Sequence, residues 1–149
     1  MNEIIAYDIE NSSGDIYLQT HSTNPLLKSE TISKAINAFK HTDNDSLFSV
    51  TKMQTRLYWK DGNPVNHNPE ELLRTQDLEP IFEENSNIFI FTKESFKKSG
   101  NKRIGLNPQM FVIDKLEAID IDEPQDFIIA EAIQKLKHYR LMSLKQKIT

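Results

Sequence analysis

The sequence contains no cysteine, which excludes disulfides and thiolate metal sites and agrees with a reducing compartment. No apolar run approaches the length of about 20 residues needed to cross a bilayer. The opening stretch Met1-Asn2-Glu3-Ile4-Ile5-Ala6-Tyr7-Asp8 lacks the basic-then-apolar pattern of a secretory signal, so a cytoplasmic protein without a membrane partner is expected. Positive charge is not in excess either. A net charge of −4 and a pI near 5.6 argue against a broad nucleic-acid surface. Glycine is scarce: Gly14, Gly62, Gly100 and Gly105 stand singly, and none belongs to a glycine-rich loop that could wrap phosphates.

What is present suits one domain over residues 1–149. With 38% hydrophobic residues, a chain of this length can bury roughly 70% of its unfolded surface. Residues 1–10 place Ile4, Ile5 and Ile9 on one side of a short helix that needs tertiary support. Ile16-Tyr17-Leu18-Gln19-Thr20 reads as a strand inside a parallel sheet. The polar loop His21-Ser22-Thr23-Asn24-Pro25-Leu26-Leu27 follows, at the usual position of a ligand loop in an α/β protein. A plain turn is the alternative.

Ser29 is expected to cap a helix whose Ile32, Ala35, Ile36 and Phe39 form one apolar stripe. Ser46 to Thr51 then gives the next strand, completing a right-handed βαβ unit, with His41 a solvated loop residue. Thr55 to Lys60 alternates into Asp61-Gly62, whose positive φ angles would make a tight hairpin. This hairpin, carrying Trp59, is an arm or lid outside the main sheet, or folds over its own domain. His67 has no second histidine at ligand spacing and is not a zinc ligand. Arg74 could fork onto a carboxylate or phosphate, or lie free on the surface. Asn87 to Thr92 is β-branched and aromatic on both faces, hence central in a sheet.

Lys93 to Lys98 suits a short helix, and the basic loop to Arg103 is solvated or touches an anion. Met110 to Ile113 is a further strand. Phe127, Ile129, Ala130, Ala132, Ile133 and Leu136 predict a long amphipathic helix, ending in Lys145-Gln146-Lys147 to complement its dipole. Tyr139 and His138 read as packing and surface residues.

The organising stretch is Ala118-Ile119-Asp120-Ile121-Asp122-Glu123-Pro124, a strand-like alternation running into a helix start. Residues two apart on a strand share a face, which would aim Asp120 and Asp122 together and turn Ile119 and Ile121 into the core. Two such carboxylates suit Mg²⁺, which takes one or two of them and fills its shell with water and phosphate oxygens. The alternative is that Asp122 caps the helix and Asp120 is a polar strand end.

Taken in order, Thr23-Asn24-Pro25-Leu26, Ser49-Val50, Arg74-Thr75-Gln76-Asp77-Leu78, Glu84-Asn85-Ser86-Asn87-Ile88-Phe89-Ile90 and Asp120-Ile121-Asp122 with Asp126-Phe127 and Ala130-Glu131 resemble the acylneuraminate cytidylyltransferase family. That family activates sialic-type sugar acids as CMP derivatives. The resemblance implies an α/β fold: a Rossmann-like nucleotidyltransferase three-layer sandwich with a mixed sheet. It also implies an inserted β-hairpin arm at about residues 52–80 that forms a homodimer. It assigns Mg²⁺ and catalysis to Asp120 and Asp122, with CTP and a sugar acid as substrates. Sugar-acid contacts fall on Thr23, Asn24, Arg74 and Gln76. Thr75 replaces the family's second arginine, and His21 aligns with a glutamine, with Gln19 pointing the same way two residues earlier.

Because the family opens with a strand and a Gly-, Arg- and Lys-containing nucleotide loop, the resemblance also implies an N-terminally truncated chain, with Met1 internal to a longer reading frame. A non-catalytic module binding a sugar acid or partner through the arm and Arg74 is the alternative. A nucleotide-sugar glycosyltransferase with Asp-Ile-Asp as its metal motif is a third reading.

Overall fold

The computed structural model describes residues 1–146, and side chains through residue 138. The elements run α1 (Asn2–Glu10), β1 (Ile16–Gln19), α2 (Ser29–Lys40), β2 (Ser46–Met53), β3 (Ile81–Thr92), α3 (Lys93–Lys98), β4 (Pro108–Val112) and α4 (Pro124–Gln146). The strands form one four-stranded mixed sheet ordered β1-β3-β2-β4. β3 is antiparallel to both β1 and β2, while β2 and β4 are parallel.

The apolar run Ile88-Phe89-Ile90-Phe91 explains the architecture. Successive side chains alternate across a strand, so Phe89 and Phe91 meet Ile5 and Ile9 of α1 and Phe96 of α3. Ile88 and Ile90 meet Ala35 and Phe39 of α2 together with Leu47. All four residues of the run are buried. Helices therefore cover both faces of the sheet, giving the three α/β/α layers that the sequence predicts.

The parts differ from expectation in several places. β1 is an edge strand antiparallel to its neighbour, not an inner strand of a parallel sheet, and Ile16 and Leu18 are exposed. β1 and β2 run parallel, as a crossover through α2 requires, but β3 lies between them. Ile4 points to solvent while Ile5 and Ile9 are buried. The stripe of α4 is largely unpacked: Phe127, Ile129, Ala132 and Leu136 are exposed, Ile133 is half-buried and Ala130 is buried. That helix meets the domain beside Pro25, Leu26 and Ile121, through its first turns. His138 is on the surface, whereas the Tyr139 side chain and the tail to Lys147 lie outside the described residues. Among the described residues no helix is long and apolar enough to cross a membrane.

Ser29 does not cap α2. It is the first helical residue, Lys28 takes the N-cap position, and the Glu117 carboxylate accepts from Lys28 N at 3.2 Å and from Lys28 Nζ at 2.5 Å. A distant carboxylate thus anchors the N-cap residue, and being negative it also suits the helix dipole. Burial works against its charge, but the contacts from Lys28 and the Thr31 hydroxyl hold the Glu117 carboxyl below the usual range. A depressed carboxyl stabilises the folded state above its unfolded pKa and loses that contribution as pH falls through the folded value. Wild-type stability should therefore be flat near neutrality and fall below about pH 4.5, the ordinary value for this group. Glu117→Gln should lower the neutral-pH midpoint in urea and flatten the acid limb. Parallel acid limbs in the two proteins would refute this.

The hairpin stands apart from the sheet. Val65 N donates to Leu57 O at 2.8 Å, Trp59 N to Asn63 O at 2.7 Å, and Gly62 N to Trp59 O at 2.9 Å. Within this hairpin only Gly62 takes a positive φ, at 87°, so Asp61 does not share that role. The connection has the three-residue form, in which one left-handed residue closes the loop.

Candidate active-site cleft

A cleft of about 590 Å³ opens beside the β2–β3 strands, lined among others by Thr51, Glu83, Glu84, Asn85, Ser86, Phe89, Arg103, Asp120 and Asp122. A break in strand pairing builds one wall. Phe48 pairs with Phe89 but Val50 pairs with Glu84, so Ser49 alone faces residues 85–88. An enlarged bulge of this kind re-aims side chains. Ser49 Oγ fills the break, donating to Asn85 Oδ1 at 2.5 Å and accepting from Ile88 N at 2.9 Å. Asn85 Nδ2 donates to Thr51 Oγ1 at 3.0 Å. Glu84, Asn85 and Ser86 are thereby presented to the cleft.

The opposite wall carries the aspartates. Residues 118–122 are irregular, not a strand. They are held by Ile121 N donating to Thr23 O at 2.9 Å and by Asn24 Nδ2 donating to Ile119 O at 3.4 Å. Asp120 and Asp122 nevertheless line the same cleft, while Ile119 lines it too instead of entering the core. Loop-to-loop hydrogen bonds, not a strand's two-residue repeat, bring the carboxylates together.

Ser86 Oγ donates to Asp120 Oδ2 at 2.7 Å. The other oxygen, Oδ1, is buried, and no donor among the described residues meets hydrogen-bond geometry with it. Burial raises the cost of charging this group, but the hydroxyls of Thr23 and Ser86 and the Ile121 N–H outweigh it and hold the pKa below the ordinary carboxylate value. Asp120 is thus an anion at neutral pH with an unused buried acceptor, the chemistry of a hard-cation ligand. Asp122 is exposed on the rim. It does not cap α4: Asp126 Oδ2 does so, accepting from Asp122 N at 3.2 Å and from Glu123 N at 2.9 Å. Among the described residues no group of three or more His, Cys, Asp or Glu is placed to hold a metal ion. Any cation here would depend on two carboxylates plus ligand or water oxygens.

The remaining expected residues divide. Gln19 and His21 sit together near the cleft, with Gln19 Nε2 3.2 Å from His21 Nε2 and the imidazole tilted over Phe89 at 6.5 Å. Thr23 reaches the aspartate wall through its backbone oxygen and its hydroxyl. Asn24 is buried and acts as a clamp between the loop, Ile119 and Ser86. Arg74 and Gln76 are exposed, away from the cleft lining. Arg74 forks onto Asp77, with Nε to Oδ2 at 2.7 Å and Nη2 to Oδ1 at 3.2 Å, beside the single 3-10 turn Thr75–Asp77.

With this geometry in place, comparison with known proteins identifies the family. The cytidylyltransferase family model matches residues 1–148. The chain belongs to the cytidylyltransferase family. It is similar to the post-translational flagellin modification protein B of Campylobacter coli, at 27% identity over 129 residues, which cover 83% of this chain and 54% of that protein. In fold it is similar to the 4-diphosphocytidyl-2C-methyl-D-erythritol synthase of Anaerococcus prevotii, with a TM-score of 0.59 and 13% identity over 87% of this chain and 64% of that one. The chain spans about half the length of the curated relative it matches.

The sequence reading names Arg103 only as the end of a basic loop that is solvated or touches an anion; the structure brings it into the cleft from the loop after α3. The loop is shaped by a Schellman cap: Asn101 N donates to Phe96 O at 2.8 Å and Gly100 N to Lys97 O at 3.1 Å, with Gly100 and Asn101 at φ 74° and 63°. Glycine at this cap was the available signal. On its far side Gly105 N donates to Ser46 Oγ and Leu106 N to Asp45 Oδ2, each at 2.7 Å. A Cβ on Gly105 would fall 2.2 Å from Asp45 Oδ1, and these bonds keep the carboxylate from yielding. Gly105→Ala should cost about 1–3 kcal/mol, as overpacking does, read as a lower urea midpoint. An unchanged midpoint would contradict this packing.

Proposed function

We propose that this chain carries the metal-binding and sugar-acid-binding part of a CMP-sugar-acid synthetase. The reaction joins CTP to a nonulosonic acid of the sialic, legionaminic or pseudaminic type. The observation that carries the proposal is Asp120: a half-buried carboxylate, held in its ionised form, whose buried Oδ1 has no donor among the described residues, set beside Asp122 in the cleft of a cytidylyltransferase-family fold. The relative named for flagellin modification supports a product destined for a protein-modifying step.

In this reaction the anomeric hydroxyl oxygen of the sugar acid bonds to the α-phosphorus of CTP. The bond from that phosphorus to the bridging oxygen breaks, pyrophosphate leaves with the electron pair, and the hydroxyl proton passes to solvent. Mg²⁺, when held by Asp120 and Asp122, would neutralise phosphate charge. Ser86 and Thr23 keep Asp120 ionised and oriented, and Asn24 fixes the loop that carries Thr23. Gln19 and His21 offer polar contacts to the sugar acid. Arg74 and Gln76 would act on the arm side, where exposed Trp59 and Tyr58 support pairing with a second copy as a homodimer.

A non-catalytic sugar-acid-binding module is the second reading, favoured by the scarcity of glycine in the chain. Incubation with CTP, Mg²⁺ and each of the three acids, followed by chromatography for the CMP-sugar and assay of pyrophosphate, separates them. Both products in equal amounts are expected from the synthetase. Sugar-acid binding without either product would leave the module, and neither binding nor turnover would refute both.

A further inference from the structure

We propose that Arg103 is the anion-recognising residue of the cleft, engaging a phosphate or carboxylate group of the bound substrates. The inference takes the cleft to be the substrate cleft proposed above. Its guanidinium lies over the Phe89 ring, 4.0 Å from the centroid. Nη1 donates to Gln19 Oε1 at 3.3 Å and lies 3.4 Å from His21 Nε2. All these partners position the group without cancelling its charge.

Two properties distinguish this arginine from a structural one. Its charge is half-buried, yet among the described residues it forms no ion pair. Burial opposes its charge, and Glu84 offsets this only by attraction through space. A desolvated cation without a paired anion is costly, and a bound anion relieves that cost. Its hydrogen-bonding capacity is also unspent. Only the Nη1 donors meet protein acceptors among the described residues, leaving Nε–H and the Nη2 amino group. These form the planar fork that matches two oxygens of a carboxylate or phosphate.

The surrounding structure fixes the fork in place. Phe89 is held in the central strand, the Schellman cap sets the start of the loop, and the Asp45–Ser46 contacts to Gly105 and Leu106 set its end. Arg74, the arginine singled out from the sequence, has its own fork closed on Asp77. Arg103 is the open one. With Lys115 it supplies the positive charge of a cleft whose carboxylates are Glu83, Glu84, Asp120 and Asp122. A substrate pair containing both anions and a metal-bound phosphate needs both.

The test is calorimetric titration of the full chain with inorganic pyrophosphate, with CTP and with N-acetylneuraminate, for wild type, Arg103→Gln and Arg103→Lys. Circular dichroism of each variant checks the fold. Arg103→Gln is expected to weaken at least one of these ligands tenfold or more. Arg103→Lys should keep part of the affinity, because it retains the charge but not the fork. Loss confined to pyrophosphate and CTP identifies phosphate as the occupant, and loss confined to N-acetylneuraminate identifies the carboxylate. Wild-type affinity for all three ligands in folded Arg103→Gln overturns the proposal, as does a wild-type chain that binds none of them. If Arg103→Gln does not fold, Arg103→Lys decides: a loss of threefold or more is expected, and no loss overturns the proposal. Failure of the synthetase reading is distinguishable. Arg103-dependent anion binding without CMP-sugar formation removes that reading alone, whereas unchanged CMP-sugar formation by Arg103→Gln removes this inference alone.

Discussion

Phe91→Ala is expected to cost about 3–5 kcal/mol, the usual range for emptying a buried phenylalanine site. Phe91 is 2% exposed and stacks between Tyr17 at 6.1 Å and Phe96 at 5.6 Å. It belongs to the layer that joins α1 and α3 to the sheet. Its neighbours sit on three separate elements, so collapse into the vacated space would require coordinated movement of a helix, a strand and a second helix. A domain of this size has a total stability of about 5–15 kcal/mol, so the variant should lose a large share of it and unfold at a much lower urea concentration. Circular dichroism with urea titration reads the outcome. A midpoint within error of wild type would mean that this face of the sheet is not closed by α1 and α3.

The second large effect concerns Asp120→Asn. Asparagine keeps the shape and can still accept from the Ser86 hydroxyl, but it loses the negative charge. Loss of a partner that merely orients a metal ligand commonly costs 10–100-fold in affinity, and removal of the ligand charge itself should cost about 100-fold or more. The Mg²⁺-dependent part of CTP binding should therefore vanish, and because Thr23, Ser86 and the Ile121 N–H favour the charged form the urea midpoint should fall while the fold, read by circular dichroism, is kept. Asp122→Asn should have a smaller effect, since its carboxylate is exposed and well hydrated. Equal losses in the two variants would contradict the asymmetry between a half-buried and a rim carboxylate.

The layers of the fold were legible because burial leaves a repeat in the sequence. Ile88-Phe89-Ile90-Phe91 announces a strand covered on both faces, and Ile32, Ala35, Ile36 and Phe39 announce the helix above it. The edge position of β1 was not legible, since Ile16 and Leu18 are as apolar as inner-strand residues. Pairing partners are set by tertiary contacts. That Asp120 and Asp122 share one face was expected, and they do line one cleft, although not through the strand geometry expected; the contacts of residues 119 and 121 with Thr23 and Asn24 join positions far apart in sequence. The bulge left a visible trace in Asn85-Ser86-Asn87, polar residues interrupting an apolar strand. Arg103 left almost none. A basic loop is ordinarily solvated, and only the folded chain shows the guanidinium turned onto Phe89.

The central claim, that the aspartate cleft holds the metal of a CMP-transfer reaction, is tested most directly by calorimetric titration of CTP into the wild-type chain with and without Mg²⁺. The account predicts binding that depends on Mg²⁺. Equal CTP affinity with and without the metal, or no CTP binding by a folded sample, would contradict it.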